Sequence, residues 1–283
     1  MKTKNLIKYF MVAALVSVIF AACKKRETTP DPVDNDTSGA VDNSLSEGTF
    51  NDVSNIADQG AAGSLSSYLS TNNGSLERGV LSCATVVPDT ANHKFTITFQ
   101  GGSCGDGKIR NGSIIVTYSG SHYYDIPSTV TITFNNYSVN GNVVNNSGVQ
   151  KIFHKAPNGV NPLDSIYVNV SIAKYNSGGT ITWVSHRTRE WTEGFNTPTS
   201  ISDDVYKVTG GADWSHSNGS SFHETCNNLK IHMGCNKCKI ESGQVNITPA
   251  GKPTRYVDFG HDGDCDYTAT VMINNISYTF STQ

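Results

Sequence analysis

One short stretch of the chain concentrates tryptophan and arginine, side chains suited to holding a sugar ring or an anion. In an extended strand, Trp183, Ser185, Arg187, Arg189 and Trp191 point to the same side. Guanidinium groups bind carboxylate and phosphate through paired hydrogen bonds. The same spacing also fits a structural stack of arginine on tryptophan, where each exposed contact contributes about 0.5–1 kcal/mol. Both interpretations predict the two tryptophans and the two arginines on one sheet face.

Three aspartates alternate near the end of the chain. Asp262, Asp264 and Asp266 offer carboxylates at a spacing that suits Ca²⁺, which takes about 6–8 oxygen ligands. The calcium loop of helix–loop–helix proteins does not fit, because Tyr267 stands where that loop needs glycine and Ile273 where it needs glutamate. A calcium site and an acidic turn at a strand end are the two interpretations of this run. The sequence indicates no other cofactor.

Six cysteines remain for the folded part of the chain once Cys23 is set aside, and they are Cys83, Cys104, Cys226, Cys235, Cys238 and Cys265. The last four lie near His223, His232 and His261, and the CxxC pair among them has the spacing of zinc ligands. An even number of cysteines in an exported chain is more typical of disulfides. A redox CxxC motif would need a βαβ unit, which the sequence does not predict.

We predict three bridges: Cys83–Cys104, Cys226–Cys235 and Cys238–Cys265. Each joins a cysteine to a near partner ahead of it in the chain and leaves out the CxxC bridge, which is strained in extended backbone. The first and the last bridge would then close comparable loops.

The sequence contains no nucleophile elbow, no HExxH motif and no phosphate loop. His186 and Glu190 share one strand face, but no nucleophile accompanies them. Carboxylates that come together only in the folded chain would permit a glycoside hydrolase. The sequence thus leaves enzymatic activity open and leans towards a non-catalytic protein.

The first 22 residues have the pattern of an export signal. Three lysines precede an apolar run, residues 9–22, that is shorter than the roughly 20 residues of a membrane-spanning helix. The run ends in Phe20-Ala-Ala-Cys23, which resembles the lipobox of bacterial lipoproteins. We therefore predict cleavage before Cys23 and stable membrane attachment through acyl chains on that cysteine.

The composition narrows the class of protein further. A net charge of −3 and a pI near 6.2 argue against a nucleic-acid partner, which would require a basic stripe. Only 16% of the residues are charged, and threonine, serine, asparagine and glycine are abundant. This is typical of a β-rich protein outside the cytoplasm.

Three segments are predicted after the signal. Residues 23–43 are polar and predict a flexible tether. Residues 44–75 predict a helical segment that ends near Gly60 and packs on the domain through Phe50, Val53, Ile56 and Ala57. Residues 76–283 predict an antiparallel β domain, because apolar residues alternate with threonine or asparagine in run after run.

The fold class is therefore all-β: a large antiparallel meander of roughly 10–13 strands with one short N-terminal helix. Four pairs suit hairpin turns, and they are Asn111-Gly112, Asn140-Gly141, Ser242-Gly243 and Asn274-Asn275. A sandwich and a curved open sheet fit equally well. The segments around Cys104 and Cys265 also suggest an internal repeat, with chance similarity between hairpins as the alternative.

Several motifs together resemble a group of uncharacterised lipoproteins from Bacteroidota. Besides the lipobox they are Gly112-Ser-Ile-Ile-Val-Thr-Tyr118, Thr131-Ile-Thr-Phe-Asn-Asn-Tyr137, Arg187-Thr-Arg-Glu-Trp191, Tyr256-Val-Asp-Phe-Gly260 and Cys265-Asp266. The resemblance implies an envelope lipoprotein with an all-β body and implies no activity. Surface-exported lipoproteins of that phylum carry acidic residues after the lipid cysteine, whereas Lys24, Lys25 and Arg26 follow here. The basic residues favour the periplasmic side of the outer membrane.

Three functions from different classes follow. The first is a non-catalytic structural or adhesive lipoprotein of the cell envelope, anchored in a membrane and partnered with another envelope component. The second is a glycan- or anion-binding module that uses the Trp183, Arg187, Arg189 and Trp191 face. The third is a hydrolase with dispersed carboxylates.

Overall fold

Most of the folded chain belongs to one antiparallel sheet whose thirteen strands follow sequence order. The computed structural model describes residues 34–66, 80–155, 161–197, 200, 202–235, 240–261 and 263–282. The strands are β1 (Ala84–Asp89), β2 (Lys94–Ser103), β3 (Ile109–Tyr118), β4 (Ser128–Val139), β5 (Asn142–Lys155), β6 (Pro162–Ala173), β7 (Thr180–Glu193), β8 (Val205–His216), β9 (Ser221–His232), β10 (Ile240–Pro249), β11 (Arg255–Asp258), β12 (Thr268–Ile273) and β13 (Ile276–Ser281). Short 3₁₀ turns span Val80–Cys83, Thr90–Asn92 and Tyr175–Ser177.

The alternating apolar pattern explains these strands. In β2, Phe95, Ile97 and Phe99 are buried while the threonines between them are half-buried. Neighbouring strands repeat this period of two, so one face of the sheet is apolar along most of its width. The predicted all-β meander is confirmed, and it is a single sheet.

Within the described part of the chain, one α-helix, α1 (Ser38–Ser66), lies against the apolar face. The helix begins six residues before the predicted boundary, inside the segment assigned to the tether. The predicted end near Gly60 is wrong, because the helix continues through Gly60 to Ser66. The first turns of the helix are polar, and that composition alone assigned them to the tether. Tertiary contacts with the sheet, described below, give those turns the partners that an isolated polar segment lacks.

The sheet curves around the helix. A Cβ added at Gly39, in the first turn, would meet the Phe222 ring of β9 at 2.7 Å. A Cβ added at Gly60, near the other end, would meet Phe95 and Ile97 of β2 at 2.7 Å. Asp58, two residues before Gly60, contacts Lys151 of β5 and Arg189 of β7. Strands five positions apart in the sheet therefore approach the same turn of the helix, which a flat sheet would not allow. The predicted stripe of Phe50, Val53, Ile56 and Ala57 is buried and faces this core.

Two of the four predicted hairpin turns are confirmed and two are wrong. Asn140-Gly141 joins β4 to β5, and Asn274-Asn275 joins β12 to β13. Asn111-Gly112 and Ser242-Gly243 instead lie inside β3 and β10, at irregularities of the strand pairing. Gly112 has φ +79°, and a Cβ added there would collide with the backbone of Asn136. Such pairs permit a bulge within a strand as readily as a turn between strands.

The two Cys-containing segments of the suggested internal repeat differ at their Asn-containing pairs. Asn111-Gly112 is a bulge, whereas its counterpart Asn274-Asn275 is a turn. β3 therefore runs through its Asn-Gly pair as a single strand, whereas the Asn-Asn pair separates β12 from β13.

The disulfide framework is confirmed at one bridge and differs at the others. Cys83–Cys104 is bonded as predicted, with a Cα separation of 5.1 Å. Cys235 pairs with Cys265 instead of Cys226, with a Cα separation of 5.2 Å. Cys226 is a free, buried thiol. Its place on the inner face of β9, beside the helix, keeps it away from the loop that holds Cys235, and sequence separation could not show this.

Cys238 lies outside the described residues, as do the signal, the cleavage site and residues 24–33 of the tether. In the part of the chain that the structure describes, no helix is both long and apolar enough to cross a membrane.

Candidate functional site

The helix carries four carboxylates that the sheet buries. Asp42, Glu47, Asp52 and Asp58 are each 6% exposed or less. Side chains five or six residues apart leave a helix in different directions, because a turn takes about 3.6 residues. Neighbouring carboxylates consequently meet different strands, whereas Glu47 and Asp58, about three full turns apart, both reach β7.

Asp52 is held by β3. The fully buried guanidinium of Arg110 donates from Nε and Nη2 to both oxygens of Asp52, at 2.8–3.2 Å. The same guanidinium donates to Asp106, and Lys108 Nζ lies 3.3 Å from Asp52. Burial alone would raise the pKa of Asp106, but the hydrogen bonds and charge of Arg110 outweigh it and lower that pKa. Two acids and two bases therefore neutralise one another here.

Asp58 is surrounded by donors from three elements. Lys151 Nζ of β5 lies 2.8 Å from Oδ1, and the Tyr123 hydroxyl donates to the same oxygen at 2.7 Å. Arg189 of β7 reaches Oδ2 at 3.4 Å and also donates from Nε to Asp164 at 2.7 Å. Burial favours the neutral acid, yet the charges of Lys151 and Arg189 together lower the pKa of Asp58. Burial, with Arg189 adding to it, lowers the pKa of Lys151.

A third carboxyl, that of Asp204, is attached to this cluster through aromatic residues. The guanidinium carbon of Arg189 lies 4.1 Å from the centre of the Tyr206 ring. The Tyr206 hydroxyl and the Trp191 indole N–H both donate to Asp204, at 3.1 and 3.2 Å. Burial nevertheless raises the pKa of Asp204 to about 7.

Glu47 and Glu224 meet at one guanidinium. Arg187 Nη2 of β7 donates to Glu47 and to both oxygens of Glu224, the latter at 2.8 Å. Asn43 donates to Glu224 at 2.7 Å. Burial and the nearby Glu47 charge raise the pKa of Glu224 to about 8. Burial also raises the pKa of the Cys226 thiol to about 12, so this thiol is not an activated nucleophile.

The predicted Trp/Arg face is real, but it points inward. Trp183, Arg187 and Arg189 are 1%, 6% and 7% exposed, and Trp191 is half-buried on the same side. Trp183 stacks on Trp214, with ring centres 5.2 Å apart. The arginines pair with carboxylates, and Arg189 stacks on tyrosine instead of tryptophan. The predicted common face is therefore confirmed, whereas the Arg–Trp stack and the exposed ligand face are wrong.

The described aspartates of the predicted calcium run act in turns. Asp264 Oδ2 accepts the backbone N–H of His261 at 3.0 Å, and Asp266 Oδ1 accepts that of Thr268 at 2.7 Å. Asp262 lies outside the described residues. These bonds match the acidic turn that the sequence left as the second interpretation.

Among the described residues, one group has metal-ligand geometry, and it consists of His232, Cys235 and Cys265. Two of its three members are joined in a disulfide. With both thiolates consumed, the remaining histidine could not hold zinc. The zinc alternative thus fails in the oxidised protein.

A cavity of about 710 Å³ lies beside the first half of α1. The ends of strands from the early part of the sheet and from its late part line it together. Asp42 is part of its wall, where Lys174 Nζ lies 2.8 Å from one carboxylate oxygen and His216 Nε2 lies 3.0 Å from the other. The sequence did not indicate this cavity, since its lining comes from seven separate segments of the chain.

Sequence reasoning also missed the helix carboxylates and their partners Arg110 and Lys151. The sequence did contain a pattern that indicates buried ion pairs. Arg110, Lys151, Arg187 and Arg189 occupy inward positions of strands whose other inward residues are mostly apolar. A cation at such a position requires a buried anion, because an unpaired buried charge is strongly unfavourable.

Comparison with known proteins found no match for this chain among protein-family models, curated proteins or solved structures.

Proposed function

We propose that this protein is a non-catalytic lipoprotein of the bacterial cell envelope, with a structural or adhesive role, anchored through lipid on Cys23. The short apolar run and Ala21-Ala22-Cys23 support export and lipidation. The basic residues after Cys23 support the periplasmic side of the outer membrane. One structural observation carries the role: the inner cations of the sheet bind the protein's own helix.

This use of the cations removes the ligand face that the sequence suggested. Arg187 is shared by Glu47 and Glu224, and Arg189 by Asp58 and Asp164. An anion or a sugar could reach the arginines only if the helix left the sheet. Breaking a buried pair costs about 3–5 kcal/mol, so such an opening would be rare.

The hydrolase alternative required carboxylates brought together by the fold. Glu47 and Glu224 are such a pair, and one of them has the raised pKa of a general acid. They are, however, 6% and 0% exposed and are bonded to Arg187. A glycosidic bond needs direct access to both carboxyl groups, and this geometry favours a structural role for them.

The helix also connects the anchor to the sheet. The chain enters α1 at Ser38, a short distance after Cys23. Asp42, in the first turns, bonds to Lys174, and Asp58, near the other end, bonds to Lys151 and Arg189. Tension on the tether would therefore act on an element clamped along its length. A domain that resists unfolding when its anchored end is pulled suits a structural or adhesive protein.

Lipidation is tested by mass spectrometry of protein extracted from membranes. We expect an acylated N-terminal Cys23 in the wild type, whereas Cys23→Ser should carry no acyl chain and keep its signal uncut. Lys24→Ser, one residue further on, should behave as wild type. A wild-type protein without acyl chains, or cleavage of Cys23→Ser at the same site, would refute the anchor.

The absence of catalysis is tested by incubating purified protein with chromogenic glycosides, esters and peptides. We expect no turnover above that of a Glu47→Gln, Glu224→Gln double variant. Turnover that the double variant loses, at unchanged thermal stability, would instead establish the hydrolase.

A further inference from the structure

The cleft beside the first half of α1 has the size and access of a binding site. Its volume of about 710 Å³ lies within the usual range for small-ligand pockets, roughly 300–1,000 Å³. Its floor is the helix face formed by Val41, Leu45, Gly48 and Asp52. A Cβ added at Gly48 would meet nothing within 4 Å, so open space begins directly at the helix backbone.

The charges in the cleft wall are already paired. Asp42 bonds to Lys174, and Lys108 lies 3.3 Å from Asp52. Asp106 is the third carboxylate of the wall, and it bonds to the buried Arg110. The wall therefore offers both donors and acceptors without a net excess of either charge. Such a lining fits a neutral ligand with many hydroxyl groups better than an anion or a cation.

Polar atoms in the same wall still lack partners. Ser44 is 2% exposed, and its hydroxyl has no hydrogen-bond partner among the described residues. The same holds for Asn51 Nδ2 and for Thr282 Oγ1, on the other side of the cleft. Buried polar groups without partners are unfavourable by about 1–3 kcal/mol each. Side-chain rotation towards a hydroxyl-rich ligand would satisfy them.

An exposed aromatic ring stands at the rim. Tyr175 is 62% exposed, and its ring lies against Gly141, where a Cβ would approach it to 2.5 Å. Its backbone N–H donates to Asn142 at 3.0 Å, which fixes the turn that carries it. Sugar rings present C–H faces to aromatic rings and hydroxyl groups at their edges, so an exposed tyrosine beside polar walls suits a saccharide.

We propose that this cleft binds a neutral oligosaccharide of about two or three sugar units, with Tyr175 as the stacking ring and Gly48 as the floor. The proposal rests on the proposed function, since it names the ligand class of the adhesive role. It moves glycan recognition from the inward Trp/Arg face to the open side of the helix.

Gly48 provides a sharp test, because replacing a helical glycine should not weaken the fold. We expect a graded loss of binding from Gly48→Ala to Gly48→Leu to Gly48→Trp as the side chain fills the cleft. Tyr175→Ala should weaken binding by roughly tenfold through loss of ring stacking. Tyr256→Ala is the matched control, because Tyr256 is 51% exposed on β11 and does not line the cleft.

Binding is measured by calorimetry on the full mature chain, with cellobiose, maltotriose, lactose and N,N′-diacetylchitobiose as probes. Spermidine, an oligogalacturonate and a mixed peptide library serve as cationic, anionic and peptide competitors. No binding of any neutral sugar, tighter binding of a competitor, or binding unaffected by Gly48→Trp would overturn the proposal. A failure to bind sugars would refute only the sugar-binding proposal and would not affect the proposals of lipidation and of a non-catalytic role. Cleavage of a bound sugar would refute the non-catalytic role alone.

Discussion

Glu47 of α1 and Glu224 of β9 share a single guanidinium, that of Arg187. Two buried carboxylates face one positive charge, so full ionisation would leave an uncompensated negative charge in the core. The folded protein avoids this by keeping a proton on Glu224, whose pKa is raised to about 8 by burial and by Glu47. Helix docking is thereby linked to a protonation state.

Raising the pH from about 4.5 to about 8 should weaken the fold through this pair. Glu224 has an ordinary pKa of 4.5 when unfolded and about 8 when folded. The stability that it contributes is fully present below about pH 4.5 and is lost as pH rises through about 8, by at most ~1.4 kcal/mol per pH unit. We expect the free energy of unfolding in urea to fall over this range.

Glu224→Gln imitates the protonated acid and should flatten that pH dependence. The glutamine can still accept from Arg187, so its stability near pH 5 should stay close to wild type. Equal slopes for the two proteins between pH 5 and pH 9 would show that Glu224 is ionised in the fold.

The buried pair of Asp52 and Arg110 should matter far more than a surface pair. Asp52→Ala leaves a fully buried guanidinium short of one partner, and removing one member of a buried pair costs about 3–5 kcal/mol. The matched control is Lys252→Ala, which breaks the pair with Asp36 where both side chains are 45% exposed. Exposed pairs contribute about 0–1 kcal/mol. Urea unfolding of both variants checks the contrast, and equal losses would mean that the helix is not held by its charges.

For the five described cysteines, the disulfide framework predicts two linked peptides and one protected thiol. Non-reducing peptide mapping should recover Cys83–Cys104 and Cys235–Cys265, whose members are 21 and 30 residues apart. Replacing Cys83 and Cys104 together by serine should cost about 3 kcal/mol in the chain-entropy account. Cys226 should react with iodoacetamide only after unfolding, because it is buried with a raised pKa. Rapid labelling of Cys226 in the native protein would contradict its burial.

The strands could be predicted from the sequence because each strand shows its own period of two, as Phe95, Ile97 and Phe99 do. The helix stripe of Phe50 to Ala57 was visible for the same reason. Pairing between distant residues was not visible. The partner of Cys265 and the role of Arg187 depend on which strands curve towards the helix, and no local pattern records that curvature. Arg187 and Arg189 looked like a ligand face because their partners on α1, Glu47 and Asp58, lie more than a hundred residues away in the sequence.

The same substitution at two glycines of α1 should have opposite effects. At Gly60 an added Cβ would lie 2.7 Å from Phe95 and from Ile97, and both neighbours are buried at 1% exposure or less. Neither side chain has room to yield, so Gly60→Ala should destabilise the protein by about 1–3 kcal/mol through overpacking. At Gly48 the added methyl group meets nothing within 4 Å. There Gly48→Ala removes the conformational freedom of glycine in a helix and should stabilise the protein by up to ~1 kcal/mol. Thermal and urea unfolding measure both changes, and a loss of stability at Gly48 would mean that the cleft beside it is filled.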